Sequence, residues 1–289
     1  MNDVLTISPQ SFELMGDEAE FALLSPTSFM TITCVDNPLT LKVYTIDPGS
    51  THPVLRASFQ LPFHPSDIFR HWVFLSVYRD GNRAPFRPDV TKGIITLEVA
   101  PVQMVENTYT LVFHNRTLMN LSGLYPLSPN QSTESLPLVE PRIYAWKEWG
   151  PTNTRLFEWS PSGCTVGWVF GSQLARTIQT TDGGYRLAVL DFNPATAKWQ
   201  AEHYSEVQPT ELSSMELLPS STSSGSIKGE TDIGPDITGL IPERITTSLP
   251  FTFNISSQEF ESPYVQLDYE HVLVTEVRVC TAGTATFLI

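Results

Sequence analysis

Positive charge is scarce in this chain: 17 lysines and arginines stand against 31 aspartates and glutamates, a net charge of −14 over 289 residues. With no Lys/Arg run to offset that balance, nucleic acid and anionic membranes are excluded as expected partners. Cysteine is also sparse. Cys34, Cys164 and Cys280 are odd in number and far apart in sequence, so a disulfide framework is not expected; they read as buried thiols of a reducing compartment. No stretch approaches the ~20 apolar residues that a membrane-spanning helix needs. The opening twenty residues lack both the basic and the apolar segments of a secretory signal. The expected location is cytoplasmic or nuclear, not secreted, and the Asn-X-Ser/Thr sequons at Asn115, Asn120, Asn130 and Asn254 are expected to stay unmodified. Helical periodicity is missing too: no window of about 12 residues repeats every ~3.6. The nearest approach, Glu206–Leu218, is interrupted by Pro209 and ended by Pro219.

What is present is apolar and aromatic. Hydrophobic residues make up 41% and aromatics 11%, too much for a disordered chain, and a chain of this size can bury about 75% of its unfolded surface. Short β-branched and aromatic runs recur every ~8 to 12 residues between Gly, Pro, Asn and Asp, the pattern of an all-β protein. The expected strands are Phe21–Leu24, Phe29–Cys34, Leu41–Ile46 and Leu55–Leu61, then Trp72–Val77, Ile94–Val99, Tyr109–His114 and Thr117–Leu121. Leu41, Val43 and Thr45 alternate with Lys42 and Tyr44, as in a half-buried strand. Asp80-Gly81-Asn82 and Asp182-Gly183-Gly184 supply turn chemistry, the second just before a strand at Tyr185–Phe192.

Two stretches read as loop insertions or disordered segments, about 122–142 and 205–242. The first is rich in proline; the second is rich in Ser and Thr, and its centre, Ser220–Ser226, is expected to be a flexible linker. Groups of about four strands fall near 20–61, 72–121, 142–204 and 246–289. The fold expected is therefore all-β, antiparallel and β-propeller-like, an incomplete arc of about four blades. Residues 1–19 form a tail or leading strand, and 20–289 the propeller-like domain.

The search for chemistry yields no catalytic residue, no metal site and no cofactor site, and it leaves the binding residues undefined. His52, His64, His71, His114, His203 and His271 show no ligand spacing. Gly163-Cys164-Thr165-Val166-Gly167 resembles a nucleophile elbow only superficially, since a strand at Trp168-Val169-Phe170 follows where a helix is required. Gly225-Ser226-Ile227-Lys228-Gly229 lacks phosphate-loop spacing. The acids Glu18 with Glu20, and Glu259 with Glu261, read as solvated faces. Five tryptophans, Trp146, Trp149, Trp159, Trp168 and Trp199, cluster in sequence and are expected to fill a core, the alternative being a binding platform.

Particular phrases carry a resemblance. They are Phe21-Ala22-Leu23-Leu24-Ser25-Pro26 with Leu41-Lys42-Val43-Tyr44, Phe113-His114-Asn115-Arg116-Thr117, Trp146-Lys147-Glu148-Trp149-Gly150-Pro151-Thr152-Asn153-Thr154-Arg155, Val189-Leu190-Asp191-Phe192-Asn193-Pro194 and Thr247-Ser248-Leu249-Pro250-Phe251. In that order the chain resembles the region after the F-box in the F-box-domain proteins of mushroom-forming fungi, from about residue 20 onward. As structure, Trp149-Gly150-Pro151 is expected to end a strand in a rigid turn. Arg155 offers a donor fork suited to loop carbonyls or an acid, and Asp191-Phe192-Asn193-Pro194 an Asx/Pro turn.

The resemblance implies a target-recognition role in a cullin-based ubiquitin ligase, with an F-box that docks on the ligase's adaptor subunit. No F-box-like Leu-Pro helical segment stands in the first twenty residues, so the expectation is a recognition part whose F-box is absent from this chain. The expected function is a non-catalytic protein-interaction module with an unidentified protein partner and a homodimer through exposed strand edges. Two alternatives remain, a propeller-based hydrolase, for which Glu148 and Glu158 are the acids to check, and a remnant without independent activity.

Overall fold

The computed structural model describes residues 19–33, 38–46, 52–64, 71–77, 93–101, 108–124, 140–159, 168–180, 183–196, 224–236, 239–261, 263–267 and 272–276. Alternation of apolar and polar residues drives the first sheet. Within β3 (Thr40–Thr45) every second side chain is buried, Leu41, Val43 and Thr45 inward. It lies between β2 (Ser28–Thr33) and β4 (Val54–Gln60), with β1 (Ala19–Ser25) at one edge and β8 (Arg142–Tyr144) at the other. All neighbours in this sheet are antiparallel except β4 and β8.

The second sheet runs β5 (His71–Val77), β6 (Ile94–Pro101), β7 (Thr108–His114) and β9 (Thr154–Trp159). The third runs β10 (Trp168–Phe170), β11 (Gln173–Gln179), β12 (Tyr185–Asp191), β16 (Phe251–Phe260) and β13 (Ser224–Ile227). Two-stranded ladders join β14 (Thr231–Ile233) to β15 (Ile245–Thr247), and β17 (Pro263–Leu267) to β18 (Val272–Glu276). The opening strands of successive units meet in series: β1 lies against β5, β5 against β10, and β10 against β17. The result is an all-β, mostly antiparallel, propeller-like arc in which, among the described residues, no sheet closes on itself.

Strands β6, β7 and β9 of the second sheet are buried on both faces, which is why they read as near-continuous apolar runs rather than clean alternations. Ile95, Leu97, Val99, Tyr109, Leu111, Phe113 and Leu156 pack towards Leu41, Val43 and Phe59 of the first sheet. Their chain neighbours Ile94, Val112, Phe157 and Trp159 pack the other way, on Leu174, Leu190, Phe251 and Phe253 of the third. Beyond the third sheet, β17 lies against β10 and β11, and Val265 on it is buried.

Four expectations need correction. First, Thr117–Leu121 is helical, not a strand: α1 spans Asn115–Leu121. Its buried residues Asn115, Leu118 and Met119 lie three and four apart, and the Asn115 amide donates to the Leu24 carbonyl of β1. Gly123, at φ +68°, ends it with bonds from Gly123 N to Asn120 O and Leu124 N to Met119 O, a Schellman stop. So short a helix is held by tertiary packing rather than by propensity.

Second, Trp149-Gly150-Pro151 lies inside a helix, α2 (Trp146–Asn153), not at a strand end. Gly150 is required by space: a Cβ there would collide with the Trp146 indole. The carbonyls this short helix leaves open are taken by Asn153 Nδ2 on Trp149 O, Thr154 Oγ1 on Gly150 O, and Ser248 N on Pro151 O. Third, the segment 205–242 contains β13 and β14, so Ser224–Ser226 is a strand paired with β16 rather than a linker. Fourth, the group 142–204 is divided among three sheets: β8 joins the first, β9 the second and β10 to β12 the third. The turn Asp80–Asn82, the three cysteines, most of 122–142 and 1–18 lie outside the described residues.

Candidate functional site

The densest grouping of chemistry-bearing side chains is a seam between the second and third sheets. Arg155 alternates with Leu156 on β9 and so faces the third sheet, fully buried. Its Nε donates to Leu249 O at 2.8 Å, Nη2 to Gly229 O at 3.0 Å, and Nη1 to Thr231 Oγ1 at 3.0 Å. The donor fork thus pins loop carbonyls, and Leu156 N adds a bond to Thr247 Oγ1 at 3.1 Å. Burial lowers the guanidinium from its ordinary value to about 10, a charge-burial cost on the order of 3 kcal/mol. Hydrogen bonds to a charged donor, about 1.5–3 kcal/mol each, offset it.

Arg176 enters the seam from β11. Its Nη1 meets Glu98 Oε1 of β6 at 2.9 Å and Thr110 Oγ1 of β7 at 2.8 Å. Its guanidinium lies 4.1 Å over the Trp159 ring, whose Nε1 also donates to Thr110 at 2.9 Å. Both charged side chains are buried, so each compensates a charge that would otherwise be costly in an apolar interior. Ala188, opposite Arg176 on β12, leaves room for the guanidinium.

His114 closes the seam at the end of β7. Burial holds its imidazole below the usual histidine range, while a backbone hydrogen bond at Phe192 and the charge of Asp191 act in the opposite direction. Asp191 accepts from Ser172 Oγ at 2.8 Å and from Asn193 N at 2.9 Å, and Asn193 Oδ1 accepts from Ala195 N at 3.0 Å. These are the Asx turns expected of Asp191-Phe192-Asn193-Pro194.

The tryptophans do not converge. Trp149 is buried between the first and second sheets, with Nε1 donating to Gln60 O at 3.0 Å and edge-on contacts to Phe59, Phe113 and Trp146. Trp159 belongs to the other core, Trp168 opens β10, and Trp199 lies outside the described residues. Glu148 accepts from Ala145 N at 2.8 Å and so caps its own helix. Glu158 stands opposite Tyr109 in the β7–β9 ladder. Glu259 receives Arg186 at 2.8 Å on the surface. Of the histidines, His52 and His64 are exposed, and His203 and His271 lie outside the described residues, as do Cys164 and its flanking glycines. Among the described residues no group of three or more His, Cys, Asp or Glu is placed to hold a metal ion, and no helix is long and apolar enough to cross a membrane.

Sequence reasoning singled out Arg155 and missed Glu98–Arg176. The available signal was one charge in each of two apolar strands, Ile94–Pro101 and Gln173–Gln179, at positions in phase with buried neighbours. A second feature lies on the surface. The exposed large hydrophobics among the described residues are Phe21 (43%) and Leu23 (54%) on β1, Ile143 (66%) on β8 and Val272 (37%) on β18. They occupy the two end units of the arc. No family model, curated protein or solved structure matches the chain.

Proposed function

We propose that the chain is a non-catalytic protein-interaction module, the target-recognition part of an F-box-type ubiquitin-ligase adaptor acting in the cytoplasm or nucleus. The observation that carries this reading is the placement of Phe21, Leu23 and Ile143 on the outward face of the first sheet. Exposed apolar side chains on one sheet face, Phe21 and Leu23 on the β1 edge and Ile143 on the opposite edge, favour a protein partner. The seam supports it as well: Arg155, Arg176 and Glu98 are engaged with backbone, hydroxyl and each other, an arrangement that braces a scaffold. The ligase connection rests on the sequence resemblance.

A fusion of an F-box segment to this chain tests the reading. The fusion is expected to bring the adaptor subunit of a cullin-based ligase and a reproducible target into one complex. Leu23→Arg should release the target and keep the adaptor. If the variant and the parent carry the same proteins, the reading fails.

A further inference from the structure

Strand β8 ends the first sheet, and among the described residues no strand lies beyond it. The register decides which backbone groups stand on that outer edge. Leu61 N donates to Leu39 O, so residue 61 turns its backbone groups towards β3. Along an antiparallel ladder this direction alternates, and Phe59, opposite Leu41, also faces β3. Ser58 and Gln60 therefore face the other way, in agreement with the bond from Trp149 Nε1 to Gln60 O. Ser58 stands opposite Ile143 in the parallel β4–β8 pairing. In such a pairing Ser58 engages the residues on either side of Ile143, and the N–H and C=O of Ile143 point away from β4 along the open edge.

This edge is set in place before anything binds. Tyr144 stacks on Phe59 at 5.0 Å and donates to Leu121 O at 2.7 Å. The next residue, Ala145, has both backbone groups taken by Glu148. Ile143 is the most exposed large hydrophobic among the described residues, at 66%. Arg142 is exposed too, with its guanidinium 4.4 Å over the Tyr144 ring. An added antiparallel strand sets one residue beside Ile143 and the next, on the opposite face, beside Arg142. The first position suits an apolar side chain and the second a carboxylate. Charge over the whole sheet agrees: its five strands contain one acid, Glu20, against Lys42, Arg56 and Arg142, in a chain of net charge −14. Of the exposed acids flanking β8, Glu148 is turned onto Ala145 N and Glu140 precedes the strand.

We propose that the open edge of β8 takes an extended acidic peptide as a further strand of the first sheet, an apolar side chain beside Ile143 and a carboxylate beside Arg142. This rests on the reading of the chain as a protein-interaction module and names the mode and chemistry of its partner. In strand addition, backbone bonds supply affinity and alternate side chains supply specificity. A preformed edge spares the cost of ordering the site. Two first sheets brought edge to edge set bases near bases, so an acidic segment fits better than a second copy.

The test is fluorescence anisotropy of a labelled peptide of alternating valine and glutamate, titrated with the full chain. Saturable binding is expected with a Kd below about 1 mM, weakening as salt is added. The matching valine–lysine peptide should bind at least about tenfold more weakly. N-methylation of the valine nitrogens, which face β8, should weaken binding by about tenfold or more, while methylation of the glutamate nitrogens, which face solvent, is tolerated. In the protein, Ile143→Pro removes the edge donor at a position where proline is accepted, and should abolish binding with the thermal melt unchanged. Arg142→Glu should reverse the preference towards the lysine peptide. Absence of saturable binding, equal affinity for the two peptides, or indifference to valine N-methylation overturns the proposal. A dimer of the parent chain that Ile143→Pro dissolves gives the edge to a second copy and overturns it as well. Failure of these peptides beside an F-box fusion that takes its target in a Leu23-dependent way overturns strand addition alone and leaves the interaction reading standing.

Discussion

The two faces of the second sheet are built on opposite principles. Towards the first sheet it presents Ile95, Leu97, Val99, Leu111 and Phe113 to an aliphatic and aromatic core. Towards the third it presents Glu98, Arg155 and His114 among Ile94, Val112, Phe157 and Trp159. An apolar face accepts many partners of the right volume. A guanidinium that must meet Glu98 and Thr110 together fits one register of β11 on β6 and β7. The first junction thus supplies burial, and the second adds selectivity of alignment.

The sharpest way to break this contrast is Glu98→Leu, which leaves Arg176 buried without a counter-charge. A loss of about 3–5 kcal/mol is expected in urea unfolding. Adding Arg176→Met in the same chain should return most of it, since two apolar residues replace two charges; a double variant as weak as the single would refute the pairing. Next in size is Arg155→Met, which orphans the Gly229 and Leu249 carbonyls and should cost about 2–3 kcal/mol by the same measurement. On the opposite face Leu111→Met, which keeps volume, should cost less than about 1.5 kcal/mol; an equal loss on both faces would dissolve the comparison.

The smallest effect is the titration of His114. Its folded-state value lies below the ordinary 6.5 because burial favours the neutral ring. The stability it contributes is present above 6.5 and is lost as pH falls through the lowered value. His114→Gln should therefore flatten the decline in melting temperature from about pH 7.5 to about pH 5.5, leaving only the carboxylate contribution.

Strands were legible both where one face is wet and where neither is, since the continuous apolar runs Ile94–Val99 and Tyr109–His114 mark β6 and β7. Leu41, Val43 and Thr45 in alternation mark β3 without ambiguity. Both helices escaped because each is short: α1 offers a single turn of buried spacing, and its clearest mark is Gly123 after Leu121 rather than any periodicity. In α2, Gly150 and Pro151 are poor helix formers, and the glycine is retained because the indole of Trp146 fills the space beside it. Turn chemistry around Asp191 was readable because Asx turns are local. The partners of Arg155 lie 74 to 94 residues away in sequence, and Glu98 lies 78 from Arg176. Only the aptitude of each side chain was visible there, since proximity arises from sheet stacking.

That separation governs how the molecule can be made. Ile233, Leu240, Ile241 and Ile245 complete the core between the first two sheets, and Arg155 waits for the oxygens of Gly229 and Leu249. A nascent chain that has delivered β1 to β9 from the ribosome still holds an uncapped core and an unsatisfied guanidinium. It must remain soluble until some ninety residues more have emerged. The β14–β15 clasp makes completion of the first half depend on translation of the second, so slow, late-cooperative folding is the kinetic signature of this architecture.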